Sequence, residues 1–151
     1  MRKALLLCLV VVALLVMASA AFAAESAGIS VTVTLQSLGV SLDQSAWPIG
    51  TVVAGATAGP FAVVATNTGN VNEKFTIATS DSAGWTAGAA SGVNVFVISA
   101  GSTVLTTSAQ TLAASVAPAG TSNFNLNFTA PAAGSVVAAQ SFTVTVACTT
   151  P

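Results

Sequence analysis

Histidine and tyrosine are missing from this 151-residue chain, and charged residues make up only 5% of it. Without histidine there is no side chain that titrates near neutrality, and the commonest neutral metal ligand is gone. Ser-His-Asp and Cys-His nucleophilic arrangements are therefore excluded. No D-x-D-x-D run offers a calcium loop, and no glycine loop ending in Lys-Ser or Lys-Thr offers a phosphate cradle. The acids are four: Glu25, Asp43, Glu73 and Asp81. Glu25 falls in the expected N-terminal tail, Glu73 has Lys74 beside it, and Asp43 and Asp81 stand in separate breaks. A glycosidase would need the fold to bring Asp43 and Asp81 to opposite sides of a sugar bond, whereas isolated loop acids are ordinarily solvated turn residues. A non-catalytic protein with no cofactor and no metal site is expected.

What is present begins with a targeting pattern. Met1-Arg2-Lys3 is basic, Ala4 to Ala18 is almost unbroken apolar sequence, and Ala21-Phe22-Ala23 follows. That order is a secretory signal peptide over residues 1–23, with cleavage after Ala23. The apolar run is shorter than the roughly 20 residues of a spanning helix. Cys8 lies near the start of the run rather than directly after it, which argues against a lipoprotein. The expected product is secreted, to the extracellular space or the cell surface, with residues 24–28 as a short N-terminal segment before a domain over 29–151. Loss of Arg2 and Lys3 leaves Lys74 as the one cation. A single cation cannot neutralise a run of phosphates, so nucleic acid is excluded as a partner. An anionic membrane surface is disfavoured on the same count, and no membrane insertion is expected after cleavage.

Beyond the signal the hydrophobic period is two. Ile29, Val31, Val33 and Leu35 alternate with Ser30, Thr32 and Thr34, the pattern of a half-buried strand. Leu38, Val40 and Leu42 resume it after a one-residue phase shift, as at a bulge or where a strand changes sheets. Further runs are Phe61-Val63-Ala65, Phe75-Ile77-Thr79, Val93-Val95-Val97, Leu112-Ala114-Val116, Phe124-Leu126-Phe128 and Phe142-Val144-Val146-Cys148. Breaks rich in Gly, Pro and Ser separate them, at Trp47 to Gly50, Ala58 to Pro60, Asp81 to Gly84, Ala117 to Gly120 and Ala130 to Ser135. About seven or eight short strands and no helical stripe predict one all-β, antiparallel sandwich preceded by the signal-peptide helix.

The stretches "TVVAGATAGPFAVVATNTGNVNEKFTI", "GW", "APAGTSNFNLNFTAP" and "QSFTVTV" resemble the immunoglobulin-like modules attached to bacterial and archaeal extracellular enzymes and surface proteins. The likeness spans residues 49 to 148 and departs from those modules in lacking an attached enzyme. A looser likeness exists to camelysin-type biofilm fibre proteins, with their N-x-G turn. The resemblance implies an immunoglobulin-like sandwich in which the connection at Asn67-Thr68-Gly69-Asn70 arches from one sheet to the other. The residues by themselves would equally suit a hairpin. In either setting Gly69 is expected to supply a positive φ, and Asn67 or Asn70 to bond nearby backbone. The motif reads as a corner rather than a recognition loop.

Cys148 would be the only cysteine after cleavage, so an internal disulfide is excluded. It continues an apolar face with no cation beside it, and a small buried hydrophobe is expected over a reactive or cross-linked thiol. Trp47 and Trp85 could stack on sugars, but large aromatics more commonly plug the ends of a sandwich. Thr32, Thr34, Asn123, Asn125, Asn127, Thr143 and Thr145 are expected to point outward. Neither Ile29 to Leu35 nor Phe142 to Cys148 carries the Lys, Pro or inward charge with which sandwiches usually blunt their edges.

These features point to a structural subunit of a cell surface or an extracellular fibre or matrix, assembling through strand edges with itself or with other envelope proteins. The alternative is a free-standing ligand-binding module, with polysaccharide as its partner. N-terminal sequencing of secreted material is expected to begin at Ala24; a mature product in the membrane fraction that still starts at Met1 would contradict the targeting pattern.

Overall fold

The period-two alternation resolves into two β-sheets. The computed structural model describes residues 28 to 151, so the signal-peptide helix and residues 24–27 lie outside the described residues. Among the described residues there are nine strands and no helix. They are β1 (Val40–Leu42), β2 (Thr57–Asn67), β3 (Glu73–Thr79), β4 (Thr86–Ala87), β5 (Val95–Ala100), β6 (Thr103–Val104), β7 (Gln110–Val116), β8 (Thr121–Thr129) and β9 (Val144–Thr149). One sheet runs β1-β2-β8-β5-β4, with β6 also paired to β5, and the other runs β7-β3-β9. All pairings are antiparallel except that of β4 with β5. The connection from β2 to β3 leaves one sheet for the other, so the N-T-G-N run is an arch and not a hairpin.

The inward faces are those the alternation marks, except on β5, where Phe96, Ile98 and Ala100 are buried rather than the Val93-Val95-Val97 parity. Val63 and Ala65 on β2, Leu126 and Phe128 on β8, Phe96 and Ile98 on β5, and Phe75 and Ile77 on β3 are all buried. They form two clusters, a larger one around Phe96, Phe128 and Ile98 and a smaller one around Ala65, Phe75 and Val116. Phe142 precedes β9 yet packs into the larger cluster. Its ring centroid lies 4.5 Å from that of Phe96 and 5.7 Å from that of Phe128, both stacked. Offset aromatic pairs of this kind add about 0.5–1.5 kcal/mol beyond their buried area.

Several expectations change in the tertiary structure. Ala58-Gly59-Pro60 is not a break between strands but a bulge within β2. The register runs Ala58↔Phe128 and then Phe61↔Leu126, so Gly59 and Pro60 together face Asn127. Gly59 has φ 118° and its Cα faces the Leu126 carbonyl, where a Cβ would sit 2.8 Å from the oxygen. Only glycine satisfies both conditions. On β7 the alternation Leu112-Ala114-Val116 is interrupted by register shifts against β3, and Ala114 is exposed. Val93 lies outside β5 and is 60% exposed.

The larger correction concerns the first expected strand. Residues 28 to 39 carry no regular secondary structure, and Ile29 to Leu35 is not a half-buried strand. Leu35 to Pro151 form one compact unit, while Gly28 to Thr34 belong to a separate one. A strand needs a partner for its backbone and a surface for its apolar face. Among the described residues no strand of either sheet pairs with this segment. The phase shift at Gln36-Ser37 is accordingly no bulge.

Phe96 is fully buried at the centre of the aromatic stack. Phe96→Ala is expected to destabilise the sandwich by about 3–5 kcal/mol through lost burial and the cavity left behind, as measured by denaturant unfolding of the purified protein.

Candidate functional site

Two features stand out once the strands are placed, an open groove and a bonded corner. Among the described residues β9 pairs with β3 on one side and with no strand on the other, so it is a sheet edge, and one without the Lys, Pro or inward charge that usually blunts an edge. On the facing sheet β1 covers only Ala65 to Asn67 of β2. Immediately beyond, Asp43 ends the pairing: its N–H donates to the Val64 carbonyl at 3.1 Å and its Oδ1 accepts the Val64 N–H at 2.7 Å. Between the two sheets on this side lies a cavity of about 700 Å³. Phe61 and Val63 of β2, Leu126 of β8, and Phe142, Val144 and Val146 at β9 line it. A loop carrying Trp47 forms part of the rim, with the Trp47 ring stacked on Phe61 at 5.1 Å.

The segment before the sandwich has the opposite character. Ile29, Val31, Val33 and Leu35 are 92%, 78%, 78% and 84% exposed. Their alternation with Ser30, Thr32 and Thr34 survives in the sequence, but the apolar face is left in water. Four large apolar side chains exposed in one short run are unusual on a protein surface.

The corner is built from Asn67, Asn70 and Glu73. Asn67 ends β2 and is buried. Its Nδ2 donates to the carbonyls of Val71 and Val116, each at 2.8 Å, and its Oδ1 accepts the Gly69 N–H at 2.8 Å. Asn70 bonds the chain upstream of β1. Its Oδ1 accepts the Ser37 N–H at 2.8 Å, its Nδ2 donates to the Leu35 carbonyl at 2.8 Å, and its own N–H donates to the Ser37 carbonyl at 3.1 Å. Gly39 is held twice, its carbonyl accepting the Thr68 N–H at 2.8 Å and its N–H donating to Glu73 Oε1 at 2.7 Å. The expectation that Asn67 or Asn70 bonds backbone holds for both residues. The expectation for Gly69 does not: its φ is not in the positive region. Glycine is required because a Cβ would collide with the Ser37 carbonyl and the Glu73 carboxylate.

Glu73 is the residue that sequence reasoning missed. Its sequence neighbour is Lys74, yet Glu73 opens β3 on the inward face and is fully buried. Its Oε2 has no hydrogen-bond partner. The signal available was its position: Glu73, Phe75, Ile77 and Thr79 share one parity, and all four are buried.

The remaining candidates fall into structural roles. Asp43 and Asp81 each accept one backbone N–H, from Val64 and from Ala87, both at 2.7 Å. Trp85 Nε1 donates to the Val136 carbonyl at 2.9 Å, and the ring packs on the larger core cluster. Asn123 and Asn125 are exposed and Asn127 is half-buried, on a strand central to its sheet. Among the described residues no three of His, Cys, Asp and Glu come together as a metal site. The chain matches no protein-family model, no curated protein and no solved structure.

Cys148 lies on β9, half-buried against the smaller cluster that contains Phe75. Burial first, and then the carboxylate of Glu73, push its thiol above the usual 9.0, although Oε2 closes no hydrogen bond to it. The unfolded thiol therefore ionises before the folded one. The stability it contributes is complete below the ordinary thiol pKa and is lost as pH rises through the folded value. Melting temperature is expected to fall more steeply from about pH 8.5 upward in the unmodified protein than in Cys148→Ala, and thiol reagents should label the folded protein slowly at neutral pH.

Proposed function

We propose that this protein is a secreted, non-catalytic structural subunit of a cell-surface or extracellular fibre or matrix, built on an immunoglobulin-like sandwich. Subunits assemble by adding the Ile29–Leu35 segment of one copy to the open side of another. The observation that carries this reading is the exposed alternating segment itself. The apolar groove beside the free edge of β9 supports it, because a strand entering there would find backbone groups to pair with and a surface for its apolar face. Strand addition of this kind draws affinity from main-chain bonds and specificity from alternate side chains. The scarcity of charge supports it too, since nothing on Ile29 to Leu35 or Val144 to Thr149 repels an incoming chain.

Magnitudes fit a reversible exchange. Burying four apolar side chains is worth about 6–12 kcal/mol at ~1.5–3 kcal/mol each. Ordering the backbone of seven residues costs about 7–14 kcal/mol at ~1–2 kcal/mol each. These terms nearly cancel, so main-chain bonds at about 0.5–1.5 kcal/mol apiece decide the outcome. The polysaccharide-binding alternative has weaker support. One face of Trp47 is occupied by Phe61, and the indole N–H of Trp85 is spent on Val136.

Light scattering and electron microscopy of the purified mature protein test the reading, and polymers are expected. Replacing Val31 and Val33 with Asp should abolish them, because each charge would enter an apolar groove without a partner. The sandwich itself should still fold, since no strand of it pairs with this segment. A protein that stays monomeric at high concentration across salt, pH and calcium would move the binding-module alternative ahead.

A further inference from the structure

The N-T-G-N run is not explained by a turn alone, since Asn70 and Thr68 both bond to the chain upstream of β1, at Leu35, Ser37 and Gly39. What they hold is the hinge. Between the exposed segment and β1 lie Gln36 to Gly39, and connections of two to five residues are long enough for a strand to reverse and pair with its own neighbour. A free hinge here would let the segment turn back and fill the groove of its own chain. That product is a closed monomer, and it competes directly with assembly. Closure within one chain is favoured by the high effective concentration of a short tether.

The corner removes that freedom. Asn70 acts as a substitute peptide unit, accepting from the Ser37 N–H and donating to the Leu35 carbonyl through its side-chain amide, with its own N–H on the Ser37 carbonyl. Thr68 and Glu73 fix Gly39 from its carbonyl and its N–H. The two segments approach so closely that each meets the other at a glycine. A Cβ on Gly39 would lie 2.5 Å from Thr68 Oγ1, and one on Gly69 would strike the Ser37 carbonyl. Every bonded group from Leu35 to Gly39 would have to be released before the hinge could reverse.

We infer that the corner from Asn67 to Glu73 selects exchange between copies over self-closure, by pinning the hinge so that the Ile29–Leu35 segment is available only to a second copy of this chain. The inference rests on the assembly reading above, with Asn70 as a positioning residue that is not part of the groove's lining and bonds the segment at the Leu35 carbonyl.

The experiment compares the mature protein with Asn70→Ala by light scattering, by amide hydrogen exchange, and by binding of a synthetic peptide of residues 29 to 35. In the variant, exchange at the Ser37 amide should accelerate at least tenfold and polymer yield should fall at least tenfold. Its folded monomers should also fail to bind the peptide, because their own segment has closed the groove. A merely structural role for Asn70 would lower the melting temperature without blocking the peptide. If Asn70→Ala does not fold, Ser37→Cys with Asn70→Cys in a Cys148→Ala background serves instead, polymerising when oxidised and closing on itself when reduced. Wild-type polymer yield from Asn70→Ala with accelerated Ser37 exchange, or from the reduced double-cysteine protein, overturns the inference and leaves the assembly reading standing. An unmodified protein that forms no polymers overturns the assembly reading, and this inference with it.

Discussion

The side chain of Asn67 holds the point at which the chain leaves one sheet for the other, and the arrangement of both sheets depends on it. Its amide spans the arch to Val71 and reaches across to Val116 at the end of β7. Its backbone takes part as well, donating to the Gly120 carbonyl and accepting the Ala119 N–H in the turn before β8. One buried residue thus ties together β2, the start of β3 and the β7–β8 turn. The Val116 carbonyl it satisfies would otherwise be buried without a partner, at a cost of about 1–3 kcal/mol. The neighbouring Asn70 extends the same logic outward to the chain before β1.

Scarcity of charge shapes the rest. Asp43 and Asp81 each accept one backbone N–H, so both acids do local structural work. Asp43 is informative because it ends the β1–β2 ladder where the groove begins. Glu73 is buried with one oxygen bonded to Gly39 and the other bare. A buried carboxylate with a single bond is costly, and its place between hinge and β3 ties that cost to the position of Gly39. The edge of β9 is left uncharged, and the protein carries no electrostatic guard against strand addition there.

The period-two alternation was sufficient for the all-β class and for most of the core, because side-chain direction in a strand follows from the backbone alone. Phe61 to Ala65, Phe75 to Thr79, Phe124 to Phe128 and Val144 to Cys148 needed no further information. The role of the N-T-G-N run as a backbone-bonding corner was legible for a similar reason, since Asn side chains bond nearby peptide groups wherever a chain turns. What escaped was long-range. β4 and β6 are two residues each, too short to carry a pattern, and the bulge at Gly59-Pro60 looked like a loop because Gly and Pro punctuate both.

Ile29 to Leu35 shows where local pattern and tertiary outcome part. The alternation by itself determined that these residues are suited to a strand with one apolar face. Whether such a strand is filled from within depends on a partner edge and a surface, and neither is specified by the segment's own residues. Likewise the composition of the corner determined hydrogen bonding to backbone, but only the tertiary structure decided that the backbone in question is Leu35 to Gly39. The same holds for Glu73, whose sequence neighbour is a lysine but whose spatial neighbours are Gly39, Gly69 and Cys148. Side-chain direction and turn chemistry are local and follow from sequence; the partner across thirty or more residues is set by how two sheets meet.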